Sequence, residues 1–70
     1  MKTTITMPNG ETKTRKGEYS HVLLVKYEGA SEWTLRNWCG SLNTAMSNQA
    51  RFHELATYGN PDGETIIMEA

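Results

Sequence analysis

Between Tyr19 and Tyr27 the chain reads Tyr-Ser-His-Val-Leu-Leu-Val-Lys-Tyr, and Val22–Val25 at its centre is the longest stretch without a polar residue. β-Branched and aromatic residues at this density predict a strand. Side chains alternate along a strand, so Tyr19, His21, Leu23, Val25 and Tyr27 share one face while Val22 and Leu24 share the other. Both faces are apolar in the middle, so the strand should be central and covered from two sides. A chain of 70 residues has little material for two covers. At this size only about 60% of the unfolded surface is buried on folding, and the core alone supplies at most about 3–5 kcal/mol. The single cysteine, Cys39, rules out an internal disulfide. One amphipathic helix can cover one face. A partner subunit is the simplest cover for the other, so a homo-oligomer is expected.

The flanking segments supply the rest of the fold. Lys2–Met7 is rich in β-branched residues and is followed by Pro8-Asn9-Gly10, a hairpin signal. Glu11–Lys16 then alternates Glu11, Lys13 and Arg15 with Thr12, Thr14 and Lys16, so neither face is apolar. Residues 1–17 are expected as a basic hairpin arm at a sheet edge, able to reach past a body formed by residues 18–70. Glu32–Trp38 fits two periods. At period two, Trp33 and Leu35 face one way while Thr34, Arg36 and Trp38 face the other. At period 3.6, Leu35, Trp38, Cys39, Leu42 and Met46 form a helical stripe. Gly40-Ser41 favours the strand, because Gly costs about 1 kcal/mol inside a helix and Ser is a good N-cap for a helical pattern beginning at Leu42. A helix over Ser41–Tyr58 is predicted to pack through Leu42, Met46, Phe52 and Leu55, with Gly59 and Pro61 ending it. A last strand is predicted at Glu64–Glu69. The expected fold is α+β in the order β-β-β-β-α-β, a mainly antiparallel sheet of four to five strands with one amphipathic helix, in one small domain.

Charge and composition narrow the function classes. Residues 1–28 carry five basic and three acidic side chains, and residues 29–70 carry two basic and five acidic, for a net charge of -1. So few cations argue against duplex DNA as a partner, since its affinity rests on many phosphate contacts. No run is long enough for a membrane span or the apolar part of a signal peptide. A lone thiol suits a reducing cytoplasm. There is no nucleophile elbow, phosphate-cradling glycine loop or paired carboxylate, so no catalysis is expected. His21, His53 and Cys39 have no metal-ligand spacing, so neither a metal nor a cofactor is expected. Binding chemistry is better represented. Lys13, Arg15, Lys16 and Arg36 can meet phosphates. Trp38, Tyr19 or His21 can meet a base by stacking or hydrogen bonding. Trp33 and Trp38 are expected on opposite faces, one under the helix. Arg36 and Trp38 are expected on the same face, within reach of one spot.

The segments Thr14-Arg15-Lys16, Tyr19-Ser20-His21-Val22, Trp33–Trp38 and Gly40-Ser41-Leu42 with Ala45 are similar to a family of small bacteriophage proteins. Asn37 and Cys39 stand where that family would have Ser and His. The likeness covers residues 12–52 and brings no established activity. It implies a phage origin, hence the host cytoplasm, and it supports the strand at 32–38. Small non-catalytic phage proteins commonly act in counter-defence. One expectation is therefore an oligomer that binds and sequesters a nucleotide-type immune signal. The alternative is an inhibitor or adaptor that binds a host protein through an exposed aromatic and basic surface.

Overall fold

The computed structural model describes all 70 residues as five strands and one helix: β1 (Lys2–Thr6), β2 (Thr12–Lys16), β3 (His21–Tyr27), β4 (Thr34–Cys39), α1 (Leu42–Ala56) and β5 (Gly63–Glu69). The fold is α+β in the expected order, with the strands divided between two antiparallel sheets. β1 and β2 form a hairpin, and the other three strands form a sheet in the order β4-β3-β5. β3 is central, and Val22, Leu23, Leu24 and Val25 are all fully buried.

Both covers of β3 come from the same chain. On one side Leu23 and Val25 meet Phe52 of α1, with Tyr27 and Ile67 beside them. On the other, Val22 and Leu24 meet Ile5 and Met7 of the N-terminal hairpin, flanked by Trp33, Leu35, Trp38, Ile66 and Met68. The premise behind a second subunit, a face of β3 with nothing to cover it, therefore does not hold. Residues 1–17 are a layer of the core and not a projecting arm, since Ile5 and Met7 are each only 4% exposed. Thr3 and Ile5 of β1, and Met7 just beyond it, alternate inward. Opposite them on β2 stand Arg15 and Lys13, paired with Thr3 and Ile5. Long cationic side chains can lay their stems on apolar surface while the charge stays in water. That makes the hairpin's inner face apolar on one strand and snorkelling on the other.

Local chemistry sets the element ends. Pro8 and Asn9 occupy a turn closed by the Gly10 amide on the Met7 carbonyl at 2.8 Å, and Gly10 takes φ 89. Only the glycine enters the left-handed region. This is a three-residue loop with glycine last, not a two-residue Asn-Gly turn. Thr3 Oγ1 donates to the Gly17 carbonyl at 2.8 Å and accepts from the Tyr19 amide at 3.1 Å. This clamp, with Gly17 at φ 123, keeps Tyr19 out of β3. Ser41 caps α1, accepting from the Thr44 amide at 3.1 Å. Ala45 and Phe52 are the buried residues of α1, while Leu42 and Met46 are 49% and 53% exposed. The predicted packing through Leu42 and Met46 thus fails. The helix turns its Ala45–Phe52 line down onto a sheet three strands wide, and those two side chains overhang its margin. No helix is long and apolar enough to cross a membrane.

Candidate functional site

The site begins with an irregularity in β4. Leu23 pairs with Asn37 and Leu24 pairs with Leu35, so Arg36 has no partner across the ladder. One extra residue on one strand is a β-bulge, and it reverses the alternation beyond it. Leu35 and Trp38 therefore both face the hairpin, as does Trp33. This corrects two expectations: the tryptophans do not lie on opposite faces, and Arg36 does not share a face with Trp38.

Arg36 turns to the helix side. Its guanidinium carbon lies 5.0 Å from the Phe52 ring centroid, and its Nη1 donates to Tyr27 Oη at 3.3 Å. The Tyr27 and Phe52 rings meet edge to face with centroids 5.9 Å apart. Phe52 is fixed by the core, so the cation rests on a rigid platform. Arg36, Tyr27 and Phe52 line a hollow of about 210 Å³ with Leu55, Asn60 and Pro61. Its far wall is set by how α1 ends. Gly59 takes φ 94, and both the backbone amide and Nδ2 of Asn60 donate to the Leu55 carbonyl, at 3.3 and 3.1 Å.

Electrostatics separates this hollow from the other two. Near Lys26, a hollow of about 490 Å³ is lined by Glu28, Asp62 and Glu64. Near Trp33, one of about 330 Å³ sets Glu11 and Glu32 against Lys13. Both repel an anion at close range. The Arg36 hollow contains a cation and no carboxylate. Glu11 is paired with Lys13 and Asp62 is bonded to His53, and no carboxylate is paired with Arg36.

The other sequence-predicted residues do not converge on Arg36. Arg15 lies 5.5 Å from the Tyr19 ring centroid, and Tyr19 lies 5.5 Å from Trp38, making a three-residue stack on the hairpin side. Lys13 Nζ holds Glu11 at 2.9 Å. That bond and the ammonium charge, with help from Asn9, keep the Glu11 carboxyl below its usual range. Lys16 is exposed at the end of β2, opposite Lys2. His21 bonds Ser20 Oγ through Nδ1 at 2.8 Å and pairs with Cys39 and Glu69. It belongs to the helix side of the sheet and is separated from Tyr19, contrary to the expected shared face. Tyr27, Phe52 and Asn60 were missed as site residues. The sequence signals only the turn after Gly59 and nothing of the bulge that turns Arg36 toward them.

A second polar cluster joins α1 to β5. His53 Nδ1 lies 3.2 Å from Asp62 Oδ1, and His53 Nε2 lies 3.1 Å from Thr65 Oγ1. The Gly63 amide, and then His53, hold the Asp62 carboxyl below its usual range. The order of groups is that of a carboxylate–imidazole–hydroxyl relay. Yet none of the three hollows includes His53 or Thr65. Thr65 Oγ1 also accepts from Gln49 Nε2 at 2.8 Å. The cluster works as a clasp that fixes the helix over β5. Cys39 is buried, with Asn48 Nδ2 at 3.6 Å from its sulfur. No three His, Cys, Asp or Glu side chains stand together as metal ligands would. No protein-family model matches this chain, and no curated protein or solved structure matches it.

Proposed function

We propose that this protein is a non-catalytic binding protein that takes a nucleotide-type ligand by its phosphate at Arg36 and so withholds it from other receptors. The observation that carries this proposal is the unpaired guanidinium of Arg36 in a hollow without carboxylates, backed by Phe52 and bonded to Tyr27. A guanidinium presents a planar fork that matches two phosphate oxygens. Tyr27 Oη accepts from Arg36, which leaves its own hydrogen to donate to a third oxygen. At about 210 Å³ the hollow is smaller than a typical site for a whole drug-sized molecule. It suits a phosphate with part of a sugar, and the base would rest outside. Phage counter-defence, as the setting in which sequestration is useful, rests on the resemblance carried by residues 12–52.

The test is a thermal-shift panel of cyclic and ADP-ribose-type nucleotides, then titration of any compound that shifts the melting temperature. A charge-assisted hydrogen bond contributes about 1.5–3 kcal/mol, so Arg36→Ala should weaken binding roughly 10- to 100-fold. Tyr27→Phe should weaken it less. Silence across the whole panel, together with capture of one host protein, would replace this function with that of a protein inhibitor.

A further inference from the structure

β5 is hydrogen-bonded to β3 on one side, and no strand lies along its other side. An exposed strand edge is a template for another strand unless it is blunted by charge, proline or a bulge. The outer edges of β4 and β2 are blunted, and that of β1 is only five residues long with Lys2 at its start. β4 is interrupted by its bulge at Arg36, and β2 carries Lys13, Arg15 and Lys16 within five residues. β5 has an unbroken register over seven residues and an uncharged centre, Thr65-Ile66-Ile67-Met68.

The ground beside that edge carries partly exposed apolar side chains on both faces. On the helix side, Gln49 and His53 reach Thr65. Leu42 and Met46 continue the same helical stripe toward the N-terminus of α1 at the spacing that keeps side chains on one face, and both are about half exposed. On the hairpin side, Ile66 and Met68 are only partly buried.

We propose that a second copy of this chain pairs antiparallel along β5 about a two-fold axis at Ile66, joining the two three-stranded sheets into one of six strands. The strand is self-complementary in charge. Centred on Ile66, Glu64 stands opposite Met68, Thr65 opposite Ile67, and Glu69 opposite Gly63, so no acid faces an acid. An unrelated extended peptide would satisfy the same backbone groups. A second copy also covers the Leu42–Met46 stripe, which lies toward the Glu69 end of β5 and which the two-fold sets against the partner's Gln49 and the partner's His53 on the same side of the sheet. This interface is independent of the Arg36 hollow.

Light scattering coupled to size exclusion, from about 1 to 100 µM, reads the assembly. The expected species has twice the 7.9 kDa mass of the chain. Leu42→Glu with Met46→Glu places charge on residues already exposed, so the doubly substituted chain should keep its circular dichroism and become monomeric, its dissociation constant raised at least tenfold. Amide exchange supplies an independent readout, because alternate β5 amides should be protected in the dimer and exposed in the variant. A wild-type mass of 7.9 kDa at every concentration overturns the proposal. So does a dimer that survives both substitutions while every second β5 amide exchanges freely, or β5 protection that arises only on adding a different protein.

Discussion

Trp33 and Trp38 pack against the same hairpin although an unbroken strand would set them on opposite faces, and the extra residue that reconciles them is Arg36. The bulge does two things at once. It gathers three large apolar side chains of one segment into one layer, and it sends a cation to the other layer. Removing the residue and truncating its side chain should therefore differ sharply. Arg36→Ala keeps the bulge and should lose the bond to Tyr27 and the contact with Phe52, the latter about 0.5–1 kcal/mol at an exposed site. Deleting Arg36 restores simple alternation and drives Trp33 and Leu35 toward the helix, so the deletion should abolish cooperative unfolding. Urea titration monitored by tryptophan fluorescence distinguishes the two.

The hairpin layer should carry a large share of the stability. Ile5→Ala and Met7→Ala each open a void against Val22 and Leu24. Losses of about 2–4 kcal/mol are expected for each. In a core of this size either change should lower the urea midpoint severely. Thr4→Ala, on the outer face of β1, should leave the midpoint almost unchanged.

Gly63 is required for close approach. A Cβ built there would lie 2.2 Å from the Lys26 carbonyl oxygen, a backbone atom that cannot swing aside. Gly63→Ala should therefore cost at least the upper end of the roughly 1–3 kcal/mol usual for overpacking. Gly29→Ala makes a useful contrast, since nothing lies within 4 Å of its Cβ position and only its φ of 84 opposes the change. Thermal melts of the two variants rank them.

Acid should weaken the fold through two carboxylates. Asp62 is held low by the Gly63 amide and by His53, and Glu11 by Lys13. A carboxyl depressed in the folded state adds stability above its ordinary value and loses it as pH falls through the folded one. Those ordinary values are 3.8 for Asp62 and 4.5 for Glu11, so the loss should begin near these values and continue below them. Asp62→Asn and Glu11→Gln should flatten the acid limb of a stability–pH curve, and their effect at neutral pH should be small because both groups face solvent.

The features legible in the sequence were those that depend on neighbours along the chain. Ser41 at the N-cap, Gly59 beyond the C-terminus and the apolar core of β3 all carry local signals, and each element stands close to where those signals put it. The bulge at Arg36 carries none, because an extra residue in a ladder is defined only by the strand across from it. The role of Ile5 and Met7 was hidden for a different reason. Their period-two spacing with Thr3 is visible, but the matching half of that face is built from Lys13 and Arg15, which read as surface until their stems are placed. Leu42 and Met46 mislead in the opposite sense, since an apolar helix position says nothing of how wide the sheet beneath it is.

The pairing of β5 with β3 sets the order in which this molecule can be assembled. The hairpin and the β3–β4 pair close over short loops, whereas β5 reaches its partner across the whole of β4 and α1. Contacts between distant segments are slow to form, since loop closure must precede any gain from them. Until residues 63–69 are in place, β3 has one open side and α1 has no His53 clasp to β5. During synthesis the molecule must therefore wait for β5 to leave the ribosome before its central strand is sealed. Any stall before Gly63 leaves Val22–Val25 unpaired on one edge, the part of the chain most able to recruit a foreign strand.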